Sequence, residues 1–308
     1  MKTTIRKLFY LTLRDIKLYF KDRMTFFVSL ITPMILLVLF VTFLKKTYEE
    51  SILEVLGSFQ IEDKVLNAFT GGWLFSSVLA TSCVTVSFCS GMMTLDKISG
   101  ADIDFQVAPI SKAQVKIAYV LANLLSTLLV CFVLLFIGLL YLAVVGFYLT
   151  FVDVLLILAN IFLTSLFATL VANILWSFTK SQGVVSGVCT LLSALYGFLC
   201  GAYMPIDSMG EGFAHFTAFL PGTYSTVLFR KAFLDSVLDK MGETLPSALV
   251  DGLAQGFDVD YSFFGKDVST AVMFLIGISS VVLAFFVLVL ISNIGKTKGG
   301  RFPFLRKR

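Results

Sequence analysis

The stretch Val65–Leu95, VLNAFTGGWLFSSVLATSCVTVSFCSGMMTL, contains no charged side chain. A helix needs about 20 consecutive apolar residues to cross the hydrocarbon core of a bilayer. A helix is the expected form there, because its backbone groups are paired within the segment and need no water. This stretch therefore predicts a membrane-spanning helix.

Five further windows without charge flank this one along the chain. They are 24–44, 117–152, 154–179, 181–206 and 268–295. Only 14% of the 308 residues are charged and 57% are hydrophobic, whereas soluble domains are about a quarter charged. The sequence predicts an all-α integral membrane protein, a single transmembrane domain over 1–308. Its six spans are predicted at about 24–44, 68–93, 117–144, 154–177, 183–203 and 268–293.

The segments outside the spans are predicted to form an N-terminal helix, a loop and a C-terminal tail. Residues 1–22 show helical periodicity, which predicts an amphipathic helix in the membrane interface. Its apolar side is formed by Ile5, Leu8, Phe9, Thr12, Ile16, Tyr19 and Phe20. Residues 45–64 are expected to form a loop of mixed charge, and 295–308 a basic cytoplasmic tail.

Residues 204–267 are predicted to form an extracellular and re-entrant region. Between Glu211 and Arg230 lie 18 uncharged residues, too few to cross the membrane and interrupted by Pro221 and Gly222. This pattern predicts two re-entrant half-helices that turn at Pro221-Gly222. Helices are also expected around 232–242 and from about Pro246.

The distribution of charge predicts the orientation. With both termini, the 96–116 loop and the 179–182 turn on one side, that side holds 17 Lys and Arg against 5 Asp and Glu. The opposite side holds 7 basic residues against 15 acids. Because basic loops stay in the cytoplasm, both termini are predicted to be cytoplasmic, in the plasma membrane. The basic tail then suits anionic headgroups better than nucleic acid.

No catalytic or metal-binding constellation is found in the sequence. His215 is the one histidine, and the segment Asp258–Ser262 lacks the glycine and closing glutamate of a calcium loop. Gly295–Thr297 resembles the end of a phosphate loop, but Leu290 stands where its first glycine is required. The chain is therefore predicted to be no enzyme, with no catalytic residue, metal or cofactor of its own. The predicted spans also lack ionisable side chains, which argues against coupling to an ion gradient.

Small residues recur at four-residue steps in two predicted spans. They are Gly72, Ser76 and Ala80 in the second span and Gly183, Gly187, Ser193, Gly197 and Gly201 in the fifth. Such faces allow close helix contact. They are candidates for a transport pathway or a dimer interface, with ordinary packing inside the chain as the alternative. Asn123, Asn160 and Asn173 are expected to form hydrogen bonds between helices.

Three local patterns, in this order, resemble the membrane subunits of type-2 ABC transporters. The first is the basic helix with Arg14-Asp15 and Tyr19–Arg23, running into a span with Pro33. The second is Gly100 to Pro109-Ile110-Ser111-Lys112, and the third is Gly201–Ile206 with Leu220–Tyr224 and Arg230. The segment 234–267 is longer than in compact members of the family.

The resemblance implies a permease that pairs with a second permease chain, the same or a related one. A separate cytoplasmic ABC ATPase dimer would bind ATP and Mg and would contact the amphipathic helix and the loop between spans two and three. The coupling residues implied are Gly100, Ala101, Asp102, Ile103, Asp104, Phe105, Arg14 and Lys17. The function implied is ATP-driven export of an amphipathic or lipophilic substrate, such as a drug, an antimicrobial peptide or a lipid. The alternative is an ion-coupled secondary transporter or a channel.

Overall fold

The computed structural model describes residues 2–57, 59–263 and 265–297. The N-terminal half contains α1 (Lys2–Lys21), α2 (Arg23–Leu39), a π-helical turn (Phe40–Leu44), α3 (Lys45–Leu56), α4 (Asp63–Cys89), α5 (Met92–Ser99), α6 (Ala101–Val107) and α7 (Lys112–Val145). The C-terminal half contains α8 (Phe151–Phe178), α9 (Gln182–Leu199), a 3-10 turn (Ile206–Met209), α10 (Glu211–Thr217), α11 (Pro221–Gly242), α12 (Ser247–Gly256), β1 (Ser262–Phe263), β2 (Lys266–Asp267) and α13 (Thr270–Thr297).

The prediction of an all-α membrane protein with six spans is confirmed. Within the described residues, six helical stretches are long and apolar enough to cross a bilayer. They are Ser29–Leu56, Asp63–Ser99, Lys112–Val145, Phe151–Phe178, Gln182–Leu199 and Thr270–Ile291. The two-residue strands β1 and β2 form one antiparallel hairpin before the last span. Residues 298–308 of the predicted basic tail lie outside the described residues.

Helix α4 lies at the centre of the bundle. Its side chains are buried almost continuously from Val65 onward, and it packs against α2, α7, α8, α9 and α11. Glycines make this close packing possible, because a Cβ atom at Gly72 would lie 2.9 Å from Leu234 Cδ2 and 3.2 Å from the Phe233 carbonyl oxygen. At Gly71 a Cβ atom would lie 2.7 Å from the ring of Tyr141.

The first span continues beyond its predicted end. The prediction of a loop from residue 45 is wrong, because α3 extends the helix to Leu56. Ion pairs one turn apart, Lys45–Glu49 at 3.6 Å and Lys46–Glu50 at 3.8 Å, support this charged extension. The fifth span, in contrast, ends at Leu199 and not at 203, where Gly201 turns the chain with a φ of +73°.

Helix α1 buries only part of its predicted apolar side inside the chain. Leu11, Thr12, Asp15 and Tyr19 are buried, whereas Ile5 and Phe9 are 60% and 61% exposed. The reason is that α1 packs along α7 and directs Asp15 into an ion-pair cluster, which an apolar periodicity does not show. Location of α1 in the membrane interface stays a prediction.

Two of the three predicted asparagine contacts are confirmed. Asn123 Nδ2 of α7 donates to the Ser87 carbonyl oxygen of α4 at 2.9 Å. Asn160 Nδ2 of α8 donates to the Ser225 carbonyl oxygen of α11, also at 2.9 Å. The prediction for Asn173 is wrong, because its amide donates to the Thr169 carbonyl oxygen one turn back in α8.

Substitution of Gly72 tests the close packing of α4. We expect Gly72→Val to lower the free energy of unfolding by roughly 1–3 kcal/mol, because the added atoms meet Leu234 and the Phe233 backbone. The measurement is the melting temperature of the purified protein in detergent. Gly252→Ala in α12, where a Cβ meets nothing within 4 Å, is the control. Equal melting temperatures for Gly72→Val and the control would contradict the packing argument.

Candidate functional site

Helices α5 and α6 form a helical elbow from the end of the second span toward the third. Gly100 joins them in a left-handed conformation, with φ +80° and ψ +2°, which a residue with a Cβ atom adopts only with strain. Asp102 and Asp104 lie in the first turn of α6, where negative charge is favourable. Ile103 and Val107 are 60% and 82% exposed. The elbow thus presents apolar side chains to its surroundings.

Arg14 of α1 is bound to the base of this elbow. Its guanidinium donates to Asp96 of α5 in a bidentate pair, with distances of 2.8 and 2.9 Å, and to Asp15 at 2.7 Å. Tyr119 of α7 donates its hydroxyl to Asp96 at 2.6 Å. The guanidinium carbon also lies 5.2 Å from the centre of the Phe105 ring of α6. These five residues, the Arg14 cluster, join α1, α5, α6 and α7.

Two lysines add further links, one between α1 and the end of the elbow and one between the elbow and α8. Lys7 of α1 donates to the Pro109 carbonyl oxygen, just after α6, at 2.6 Å. Lys97 of α5 donates to the Trp176 and Ser177 carbonyl oxygens at 2.7 and 3.1 Å. These carbonyl groups lie at the C-terminal end of α8, where the helix dipole is negative, so the positive charge of Lys97 is favourable there. A displacement of the elbow would therefore be transmitted to α1, α7 and α8 together.

The carboxyl group of Asp15 in the Arg14 cluster is buried, which disfavours its charged form. Burial raises the pKa of Asp15 to about 6, and the charge of Arg14 only partly opposes this effect. The hydrogen bond to Asp96 raises the pKa of Arg14, so the guanidinium stays charged. Asp15 can therefore take up a proton under mildly acidic conditions.

The structure brings some of the predicted coupling residues together and leaves others apart. Arg14 and Phe105 are in contact, and Gly100, Ala101, Asp102, Ile103 and Asp104 lie on the adjoining elbow. Lys17 is exposed on α1. Sequence reasoning missed Asp96 and Tyr119. The available signal was that Asp96 is the first charge after the long uncharged stretch, where an acid needs a partner.

The small residues of the two predicted spans have different surroundings. Gly72, Ser76 and Ala80 are buried inside the chain. In α9, Gly183 and Gly187 are exposed and Ser193 is half-buried. Gly197 packs under the Tyr203 ring, and Gly201 packs against Ile206. The assignment of these positions to a pathway or dimer interface stays a prediction.

The predicted turn at Pro221-Gly222 is the start of α11. Residues 218–220 separate α10 from α11, and Pro221 occupies the first helical position, where its missing N–H costs nothing. Gly222 lies against Tyr196, whose Oη would be 2.5 Å from a Cβ atom. Helix α11 then runs unbroken to Gly242, so the predicted separate helix at 232–242 is its second half. Entry of α10 and α11 into the bilayer stays a prediction.

A second charged cluster, at the opposite end of α4, was not predicted. Arg230 of α11 is fully buried and donates to the Asp258 carboxylate at 2.6 Å and to the Gly201 carbonyl oxygen. Asp258 also accepts the Ile206 N–H at 2.7 Å, and the guanidinium lies 4.8 Å from the Trp73 ring centre. The Asp258 carboxylate therefore holds chain segments together.

Breaking the Arg230–Asp258 pair should strongly destabilise the fold. We expect Asp258→Asn to cost about 3–5 kcal/mol, because it leaves a buried guanidinium without its counter-charge. Lys231→Gln is the matched control, since Lys231 pairs with Asp260 and Asp235 at the surface and should contribute less than about 1 kcal/mol. Melting temperatures of the two purified variants measure this difference. Similar, small losses for both would show that the buried pair is dispensable.

The proton affinity of Asp15 predicts a pH dependence of stability. Because the pKa of Asp15 is raised in the folded state, folding favours proton uptake between about pH 4 and 6, and stability rises as the pH falls toward 5. We expect Asp15→Asn to show a smaller rise in melting temperature between pH 7.5 and 5.5 than the unsubstituted protein. Burial also raises the pKa of Asp235 to about 6, so part of the rise will remain. An unchanged rise in Asp15→Asn would contradict the assignment, and the exposed Glu54→Gln is the control.

The comparison with protein families identifies the chain. The family model described as ABC-2 type transporter matches residues 6–234, which include most of α1, the helical elbow and most of α11. In the comparisons with curated proteins and with solved structures, nothing matches significantly. The matched region covers well over half of the chain and contains both charged clusters except Asp258. The chain therefore belongs to the ABC-2 type transporter family and is a membrane component of an ABC transporter.

Proposed function

We propose that this chain is the permease subunit of an ATP-driven exporter, located in the plasma membrane with both termini in the cytoplasm. It would move an amphipathic or lipophilic substrate outward by alternating access. A separate ABC ATPase dimer would bind ATP and Mg and supply the energy. The observation that carries the proposal is the Arg14 cluster, within a chain of the ABC-2 type transporter family.

The helical elbow is the proposed contact for the ATPase. Its exposed Ile103 and Val107 would give a partner an apolar surface, and Asp102 and Asp104 would add charge to its rim. Closure of the ATPase dimer on ATP would push the elbow. Because Arg14, Asp96 and Tyr119 are joined by short hydrogen bonds, α1, α5 and α7 would move as one body.

The transport pathway is proposed between two permease chains, the same or related. Helix α9 has an exposed face with Gly183, Gly187 and Leu191, suited to close contact with a second chain. Helix α4 is covered by its own chain, so Gly72, Ser76 and Ala80 would line the pathway only when neighbouring helices separate during the cycle. Walls without ionisable groups would suit a lipophilic or amphipathic substrate better than a strongly charged one.

Substitutions in the Arg14 cluster test the coupling. We expect Phe105→Ala and Arg14→Gln to reduce the permease-dependent ATPase activity of the complex with its partner ATPase roughly tenfold, by loosening the elbow from α1. The measurement is ATP hydrolysis by the co-purified complex in lipid nanodiscs, with the amount of bound ATPase subunit quantified. Lys46→Gln is the control, because Lys46 lies on α3, at the other end of the first span, and its side chain is 83% exposed.

Two results would contradict this proposal. The first is full ATPase activity and substrate transport in both Arg14 cluster variants when their assembly is normal. The second is transport by the purified chain alone, driven by an ion gradient without ATP. The second result would favour a secondary transporter.

A further inference from the structure

Two grooves meet at the first turns of α7. The apolar groove, about 550 Å³, lies between α7, α8 and α13 and is lined by apolar side chains, among them Ile117, Leu121, Leu166, Leu170, Phe285 and Leu288. The basic groove, about 200 Å³, lies between α7 and the elbow and contains Lys97, Lys112 and Lys116 with one acid, Asp102. Lys116 lines both grooves.

The apolar groove opens on an exposed, apolar surface of the bundle. Helix α13 has only 6% of its span window buried inside the chain, and Ile117 and Phe285 at the groove are 49% and 53% exposed. Its volume lies within the range of roughly 300–1,000 Å³ of sites that bind small molecules. An occupant from the bilayer with a flexible apolar chain fits this lining, since the groove has almost no polar surface to satisfy.

The basic groove specifies the charge of the occupant. Lys97 is held in place by its hydrogen bonds to the Trp176 and Ser177 carbonyl oxygens, so its charge is fixed at the groove wall. Three lysines against one aspartate give a local excess of positive charge. Basic pockets between spans at the membrane edge bind anionic lipid headgroups.

Adjacent faces of α7 line the two grooves. Lys116, Val120 and Leu121 lie on the side facing the apolar groove, and Lys112, Lys116 and Tyr119 face the basic groove. We propose that one anionic phospholipid binds here. Its phosphate would lie beside Lys112 and Lys116, and an acyl chain would follow Ile117 and Leu121 toward the bilayer centre.

The site goes beyond the proposed export function and does not depend on it. Phe105 and Asp102 of α6 also line the basic groove. A bound headgroup would therefore contact the elbow directly. The lipid would act as a structural ligand of the permease, and under the proposed orientation it belongs to the inner leaflet.

Native mass spectrometry of the purified full chain tests the proposal. Dioleoylphosphatidylglycerol and dioleoylphosphatidylcholine are titrated separately into the detergent solution. We expect one phosphatidylglycerol to be retained preferentially. In Lys112→Gln/Lys116→Gln its affinity should fall on the order of tenfold or more, because two cations beside the headgroup are lost. Leu166→Trp, which fills the apolar groove without changing charge, should also reduce retention.

Matched controls separate this site from general lipid adhesion. Lys45→Gln/Lys46→Gln removes two cations from α3, and Leu129→Trp adds the same bulk to an exposed position of α7 outside the groove. Both controls should retain phosphatidylglycerol as the unsubstituted protein does. Inorganic phosphate alone should not raise the melting temperature, whereas phosphatidylglycerol should.

Four results would overturn the proposal. Equal retention of the two lipids would remove the role of headgroup charge, and this test needs no variant. Unchanged retention in the double lysine variant would exclude the basic groove. Stabilisation by inorganic phosphate alone would indicate an anion site without lipid. A change in oligomeric mass in Leu166→Trp, with lipid retention intact, would show that a second copy of the chain covers the groove.

Discussion

The close packing of α4 inside its own chain is the constraint on which the rest of the structure depends. A helix enclosed by five others must have small side chains where they approach, and Gly71 and Gly72 meet Tyr141 and Leu234 at distances that no larger residue allows. The hydroxyl side chains of α4 reach back to its own backbone; Thr81 and Ser82, for example, donate to the Ser77 and Val78 carbonyl oxygens at 2.9 and 2.5 Å. Most buried hydroxyl groups of α4 are paired in this way, whereas those of Ser77 and Thr85 have no hydrogen-bond partner among the described residues.

Helix α4 also connects the two charged clusters of the molecule. Trp73, in its first half, contacts Arg230, and Asp96, on α5 beyond its last residue, binds Arg14. Their separation along the chain corresponds to roughly 35 Å at the rise of an α-helix, and Ser90 and Gly91 interrupt the helix between them. Each cluster ties together several helices, and α4 packs against helices of both clusters. This arrangement suits the proposed function, in which force applied at the elbow must reach the other side of the membrane.

The sequence predicts the spans well because their determinant is local. An uncharged window of sufficient length has one stable form in hydrocarbon, and all six windows correspond to helices. It predicts α3 poorly, because a charged segment next to a span is typical of a loop. The helical spacing of the pairs Lys45–Glu49 and Lys46–Glu50 is the signal that favours a helix instead. The sequence does not show which residues of α1 are buried by α7, since Arg14, the partner of Asp15, also binds Asp96, about 80 positions later in the chain.

The candidate site could be predicted only in part, because its contacts join residues that are far apart in the sequence. Phe105 and Arg14 were found through a family resemblance, but their contact depends on the left-handed turn at Gly100, which directs α6 back toward α1. Arg230 was visible as the first charge after a long uncharged segment. Its partner Asp258 could not be identified, because the pairing depends on the turn that brings residues 254–261 over the end of α9. Long-range ion pairs leave no periodic trace in a sequence.

The central claim is that the helical elbow lies in the cytoplasm, where an ATPase can reach it, and that α3 lies outside. Labelling of intact cells with a membrane-impermeant maleimide tests this directly, using single cysteines introduced at Ile103 and at Leu53, which are 60% and 48% exposed. The five native cysteines are buried and should contribute little background. The account predicts labelling at position 53 in intact cells and at position 103 only after the membrane is opened. Labelling at position 103 in intact cells would contradict it.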